Sequence, residues 1–112
     1  MDRIFEKSLL FDIYGNLLTD HQKEIYEDVV NNDYSLSEIG EELGISRQGV
    51  HDAVKRIDKI LIDYEDKLHF AQSYRKNIET LDKIKCSVEK LKSEGVEVSE
   101  ITELLDLLTE DL

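Results

Sequence analysis

From Val50 to Leu91 apolar residues recur at steps of three and four: Val50, Val54, Ile57, Leu61, Tyr64, Leu68 and Ala71, then Tyr74, Ile78, Leu81, Ile84, Val88 and Leu91. Such spacing lays them along one stripe of an α-helix, and the 112 residues contain no proline to interrupt it. The pattern predicts a helix starting after Ser46 that runs past roughly forty residues at about 1.5 Å each, with a break near Gln72-Ser73 as the alternative. The same spacing opens the chain, where Phe5, Leu9 and Ile13 lie beside Leu10, Tyr14 and Leu17, and predicts a first helix over about 3–16.

Shorter elements are marked by their caps. Thr19 with Gln22 has capping-box spacing ahead of Ile25, Tyr26, Val29 and Val30, which predicts a second helix to about Asn31. The Asn31-Asn32-Asp33 cluster supplies turn chemistry, and Ser35 with Glu38 repeats the capping box before Leu36, Ile39 and Leu43. After Ser93-Glu94-Gly95 a last helix from about Ser99 places Ile101, Leu104, Leu105, Leu108 and Leu112 on one face. The expected fold is all-α, with a core domain over 1–62 and a C-terminal helical extension over 63–112 made of the long helix and an acidic terminal one.

The segment from Leu36 to Ile57 has the layout of a helix-turn-helix, and each special position has a steric cause. Gly40 is small where the second helix crosses close to the first, Gly44 permits the turn, and Ser46 caps the next helix. Ile39, Leu43, Ile45, Val50 and Val54 lock the pair around one small core. With Val50, Val54 and Ile57 on the buried side, a step of about 100° per residue puts Gln48, Asp52, Lys55 and Lys59 on the opposite side, flanked by Arg47, His51 and Arg56. In such motifs the second helix enters the major groove and its N-terminal residues reach base edges. Gln48 suits a bidentate contact to adenine, Arg47 suits guanine or a phosphate, and Lys55, Arg56 and Lys59 suit the phosphate backbone. The candidate nucleic-acid-binding residues are therefore Arg47, Gln48, His51, Lys55, Arg56 and Lys59.

Two features work against this face. Asp52 projects from its middle, and Asp58 brings the acidic count over 47–59 to two against four cations, inside a molecule of net charge −12. At physiological salt the Debye length is about 8 Å, so distant acids are screened and the local face decides.

Other chemistries find little support. The single cysteine, Cys86, cannot form an intramolecular disulfide and is expected as a buried thiol. His21, His51 and His69 are too far apart along the chain for a short metal motif, and Gly44 and Gly49 lack the lysine and hydroxyl residues of a phosphate-binding loop. Tyr64 and Tyr74 fall on the apolar stripe and are expected in core packing. No catalysis, metal or cofactor is expected. Asp2, Arg3, Glu6, Lys7 and Asp12 break any signal-peptide core, so a cytoplasmic protein with no membrane partner is expected.

The chain resembles the YlxM/p13 family of small bacterial helix-turn-helix proteins. The matching residues are Leu10-Phe11-Asp12-Ile13-Tyr14, Leu17-Leu18-Thr19 with Gln22, Asp33-Tyr34-Ser35-Leu36-Ser37-Glu38-Ile39, and the run from Ser46 to Arg56. The likeness covers the chain to about Tyr74. The family pattern has alanine and an aromatic where Gly49 and His51 stand here.

The resemblance implies an all-α fold similar to region 4 of bacterial sigma factors, within the winged-helix-like DNA-binding superfamily, and genes that neighbour those of the signal recognition particle. It implies a DNA-binding transcription regulator or, alternatively, an accessory component of that particle contacting its RNA or GTPase. A protein adaptor that keeps the motif as scaffold is the third reading.

Charge divides the C-terminal half unevenly. Residues 67–92 hold seven basic residues against three acidic ones, whereas 93–112 hold seven acidic residues and no base. Together with the leucine face at 101–112, this predicts that the extension folds back as an antiparallel hairpin or joins a homodimer.

Overall fold

The computed structural model describes residues 3–112, with side chains from Glu6 onward. The described residues fold into α-helices and one short 3-10 turn, with no β-strand among them and hence no wing beside the helix-turn-helix. The helices are α1 (Arg3–Tyr14), α2 (Asp20–Val30), α3 (Leu36–Leu43), α4 (Arg47–Leu68), α5 (Phe70–Ser93) and α6 (Ser99–Glu110). Phe5 of the expected first stripe lies outside the described side chains.

Each start has a cause in the sequence. The Thr19 hydroxyl accepts from the Gln22 amide at 3.2 Å while the Gln22 side chain accepts from the Thr19 amide at 3.1 Å, which closes the capping box that starts α2. Ser35 and Glu38 do the same for α3. Between α2 and α3 the turn passes through Asp33 at φ 56°, a left-handed conformation that aspartate tolerates better than most residues.

The chain forms two compact units, 1–71 and 72–112. In the first, Leu10, Phe11 and Tyr14 of α1 meet Ile25 and Tyr26 of α2, Ile39 of α3, and Val50, Val54, Ile57 and Leu61 of α4. Phe11 and Tyr26 pack with ring centroids 5.3 Å apart. Six of the large side chains in this cluster are essentially sealed from water: Tyr14, Tyr26, Ile39, Ile57, Leu61 and Val50. Each contributes about 1.5–3 kcal/mol of burial, so α4, which supplies half of them, is the axis of the unit. Ile45, expected in the same lock, stays 44% exposed, because the turn that follows Gly44 carries it to the rim of the core.

Polar links tie the helices at two levels. The Tyr26 hydroxyl donates to Asp58 Oδ1, and Asp58 Oδ2 pairs with Lys7 Nζ at 3.2 Å, joining α2, α4 and α1. At the far end of α4 the Tyr14 hydroxyl donates to Glu65 Oε1 at 2.6 Å. The same Glu65 oxygen accepts from the Ala71 amide at 2.9 Å, and the Tyr14 oxygen accepts from the Phe70 amide at 3.2 Å.

This second link overturns the expected uninterrupted helix and puts the break at His69, three residues before the alternative site at Gln72-Ser73. The helix that starts at Arg47 stops at Leu68, and His69 turns left-handed at φ 58° before α5 begins. Starting a new helix leaves amides without partners, and Tyr14 and Glu65 accept from two of them. Tyr14 also stacks on Tyr64 and Phe70, with centroids 5.8 and 6.2 Å apart. The first unit therefore extends through Ala71, beyond the boundary expected at residue 62, because the residues that complete the Tyr14 cluster come from 64–71.

The second unit is a helical hairpin. Gly95 ends α5 at φ 84°, with the Gly95 amide on the Lys92 carbonyl at 3.0 Å and the Val96 amide on the Leu91 carbonyl at 3.1 Å, the two bonds of a Schellman motif. Leu81, Val88, Val98 and Leu105 form its core. The leucine face expected to be buried is mostly open, since Leu105 is covered while Leu104 and Leu108 are 58% and 52% exposed. Cys86 is exposed, not buried as expected, because it sits on the side of α5 away from Leu81 and Val88.

Candidate nucleic-acid interface

The helix-turn-helix comprises α3, the turn Gly44-Ile45-Ser46 and the first half of α4. Gly40 lies where the chain crosses itself, for a Cβ added there would stand 2.7 Å from the Ile45 carbonyl oxygen. Gly44 is left-handed at φ 71°, and a Cβ there would meet nothing within 4 Å, so dihedral angle, not space, requires glycine. The Ile45 amide donates to the Gly40 carbonyl at 2.9 Å, closing the turn. Ser46 then caps α4 by accepting from the Gly49 amide at 3.0 Å. Gly49 is tight without being forbidden, since its Cβ would stand 3.3 Å from Ser46 Oγ.

On this frame Arg47, Gln48, Lys55, Arg56 and Lys59 are exposed, and His51 is half-buried. The rise of an α-helix spreads them over about 18 Å, longer than the roughly 12 Å width of a B-DNA major groove. Gln48, Asp52, Lys55 and Lys59 form one stripe facing away from Val50 and Val54. Arg47 and His51 lie towards the start of α3, where they share a shallow depression with Leu36 and Gln48.

Two acids that weigh against the face in the sequence are engaged. Asp58 turns inward to Tyr26 and Lys7, so it does not oppose Lys55 and Lys59 on the outer side. Asp52 accepts from Gln48 Nε2 at 3.0 Å, and His51 Nδ1 lies 3.7 Å from the same carboxylate oxygen. An ionised carboxylate has no proton to give, so the nitrogen side of the Gln48 amide faces Asp52. The Gln48 carbonyl oxygen and its second N–H remain available. The helix before it offers no cation: α3 carries Glu38, Glu41 and Glu42.

The sequence did not reveal Tyr26 and Asp58 as a pair, because they are 32 residues apart and nothing local links a tyrosine on one helix to a carboxylate on another. Burial, reinforced by the Asp58 hydrogen bond and charge, drives the Tyr26 hydroxyl far above the ordinary tyrosine range, so it stays a proton donor. Among the described residues no group of three or more His, Cys, Asp and Glu is placed to hold a metal ion, and no helix is long and apolar enough to cross a membrane.

A family profile described as "Putative helix-turn-helix protein, YlxM / p13 like" matches residues 1–101. A UPF0122 protein of Thermoanaerobacter sp. (strain X514) is 50% identical over 82 residues, covering 73% of this chain and 70% of the relative. Relatives of the same description occur in Acetivibrio thermocellus, 48% identical over 76% of each chain, and in Streptococcus gordonii, 49% identical over 67% of this chain and 68% of the other. With the helix-turn-helix formed and the profile spanning nearly the whole chain, this protein belongs to the YlxM/p13-like family of helix-turn-helix proteins.

Proposed function

We propose that the protein is a regulator that binds duplex DNA, with the N-terminal half of α4 in the major groove. The observation that carries the reading is the inward turn of Asp58. Once that carboxylate is engaged by Tyr26 and Lys7, the outer side of 47–59 presents Arg47, Lys55, Arg56 and Lys59 against Asp52 alone. Gln48 and Arg47 stand at the helix start, where side chains reach base edges, and Lys55, Arg56 and Lys59 lie further along, where phosphates pass. His51 sits on the flank, beside the Asp52 carboxylate. The acidic α3 makes no phosphate anchor, so affinity rests on α4 and falls steeply with salt.

The test is selection of duplexes from a random pool, followed by binding titrations at several salt concentrations. Arg47→Ala with Gln48→Ala should relax sequence preference while leaving helicity intact. Lys55→Ala with Arg56→Ala should weaken all duplexes alike and flatten the salt dependence by about 0.9 in log–log slope for each phosphate that is no longer neutralised. Equal affinity for every duplex, or a preference for a structured RNA over all of them, would remove this reading.

A further inference from the structure

The 72–112 hairpin packs Leu81, Val88, Val98 and Leu105 together, yet each of its helices keeps a second stripe in solvent. On α5 that stripe is Ser73, Asn77, Thr80, Ile84, Ser87 and Leu91, all exposed. Its steps of four and three are those of a heptad seam, and no charge falls in it although the helix is rich in lysine. On α6, Ile101, Leu104 and Leu108 continue the same spacing and are 42%, 58% and 52% exposed.

At about 100° per residue, Ile84 and Leu91 are rotated to one side of Leu81 and Val88 in the same sense as Ile101, Leu104 and Leu108 are rotated from Leu105. The two helices of a hairpin run in opposite directions, so equal rotations bring both stripes onto one face of it. Beyond the stripe on α5 the next residues round the helix are Lys76, Lys83 and Lys90; beyond that on α6 they are Glu100, Glu103 and Asp111, with Leu107, 60% exposed, among them. The face thus has a basic margin along α5 and an acidic margin along α6.

We infer that this face receives a second copy of the chain, hairpin upon hairpin, as an antiparallel four-helix bundle. The charge pattern selects both the occupant and its orientation. A two-fold axis parallel to the helices lays α5 over the partner's α6 and brings each lysine margin against an acidic one. The alternative two-fold, with its axis across the helices, lays lysine on lysine and acid on acid. The uncharged stripes meet in the middle, where Ile84 and Leu91 of α5 and Leu104 and Leu108 of α6 are withdrawn from water.

Sedimentation of the full chain at micromolar concentration tests this. The wild-type chain should be a dimer, and Leu104→Glu with Leu108→Glu should weaken association by roughly a hundredfold or more at unchanged helicity. Ile84→Glu should act likewise from the other helix. Two charge variants, Lys83→Glu with Lys90→Glu and Glu100→Lys with Glu103→Lys, should each self-associate poorly and form a one-to-one heterodimer when mixed. A wild-type chain that stays monomeric would overturn the inference and leave the face to a different kind of partner. So would a dimer indifferent to the Leu104 and Leu108 changes, or charge variants that do not pair.

Discussion

Two glycines four residues apart hold the helix-turn-helix for different physical reasons, and substitutions can tell the reasons apart. At Gly40 an alanine Cβ would sit 2.7 Å from the Ile45 carbonyl oxygen, well inside ordinary contact, and that oxygen belongs to backbone. Relief requires the turn to move away from α3. Overpacking costs about 1–3 kcal/mol, and an approach this close to a backbone atom belongs at about 2–3; the better helix propensity of alanine returns up to about 1 kcal/mol, which leaves a net loss of about 1–2 kcal/mol. At Gly44 there is nothing within 4 Å, and the cost of alanine is that of a left-handed residue, about 1–2 kcal/mol.

The two losses are similar in size, but asparagine separates them. Gly44→Asn should recover much of the stability that Gly44→Ala loses, because asparagine tolerates the left-handed region. Gly40→Asn should be worse than Gly40→Ala, because a longer side chain meets the same carbonyl. Thermal unfolding followed by near-ultraviolet tyrosine dichroism in a Tyr74→Phe background reports on the tyrosines of the 1–71 unit, Tyr14 and Tyr26 among them, where each kcal/mol moves the midpoint by about 4–8 °C. Gly40→Ala as stable as the wild type, or Gly44→Asn as damaging as Gly44→Ala, would refute the assignment of steric need to one glycine and dihedral need to the other.

Tyr14→Phe should cost about 1.5–3 kcal/mol, because it strips a buried hydroxyl from Glu65 and from the Phe70 amide, and hydrogen exchange at Phe70 should accelerate; exchange unchanged from the wild type would show that the α4 to α5 break needs no such cap. Stability should fall as pH rises above about 10, because the unfolded chain releases the Tyr26 proton there while burial and Asp58 keep it on in the folded state; below that range the contribution is fully present. The slope from one tyrosine is about 1.4 kcal/mol per pH unit, and Tyr26→Phe should remove it, as alkaline titrations of both proteins would reveal. Asp58→Asn keeps an acceptor for Tyr26 but removes the Lys7 pair, so it should cost less than Asp58→Ala in the same thermal assay.

Much of the fold is legible in the sequence because its signals are local. A capping box spans four residues, and both expected boxes form; the Gly44 turn and the Ser46 cap likewise depend on neighbours in sequence. The outward stripe of α4 follows from helical periodicity once Val50, Val54 and Ile57 are known to be buried. Periodicity does not guarantee continuity, however. The apolar stripe from Val50 to Leu91 persists across His69, yet the helix does not, since neither His69 nor its neighbours carry the signature of a stop.

The charge of the candidate interface is hidden from the sequence for a related reason: a charge sum over 47–59 counts Asp58 as an open acid, whereas it sits one turn from Val54 and is engaged by Tyr26 and Lys7, residues far away in the chain. The helices, their caps and the helix-turn-helix follow from the order of amino acids, because those depend on spacing within a few residues. Tertiary structure alone decided where the long stripe breaks, which carboxylates face inward, and how much of the leucine face of α6 remains open. Each of these depends on partners brought from distant positions, and a hydrogen bond or a packed ring exists only once the chain has folded to bring them together.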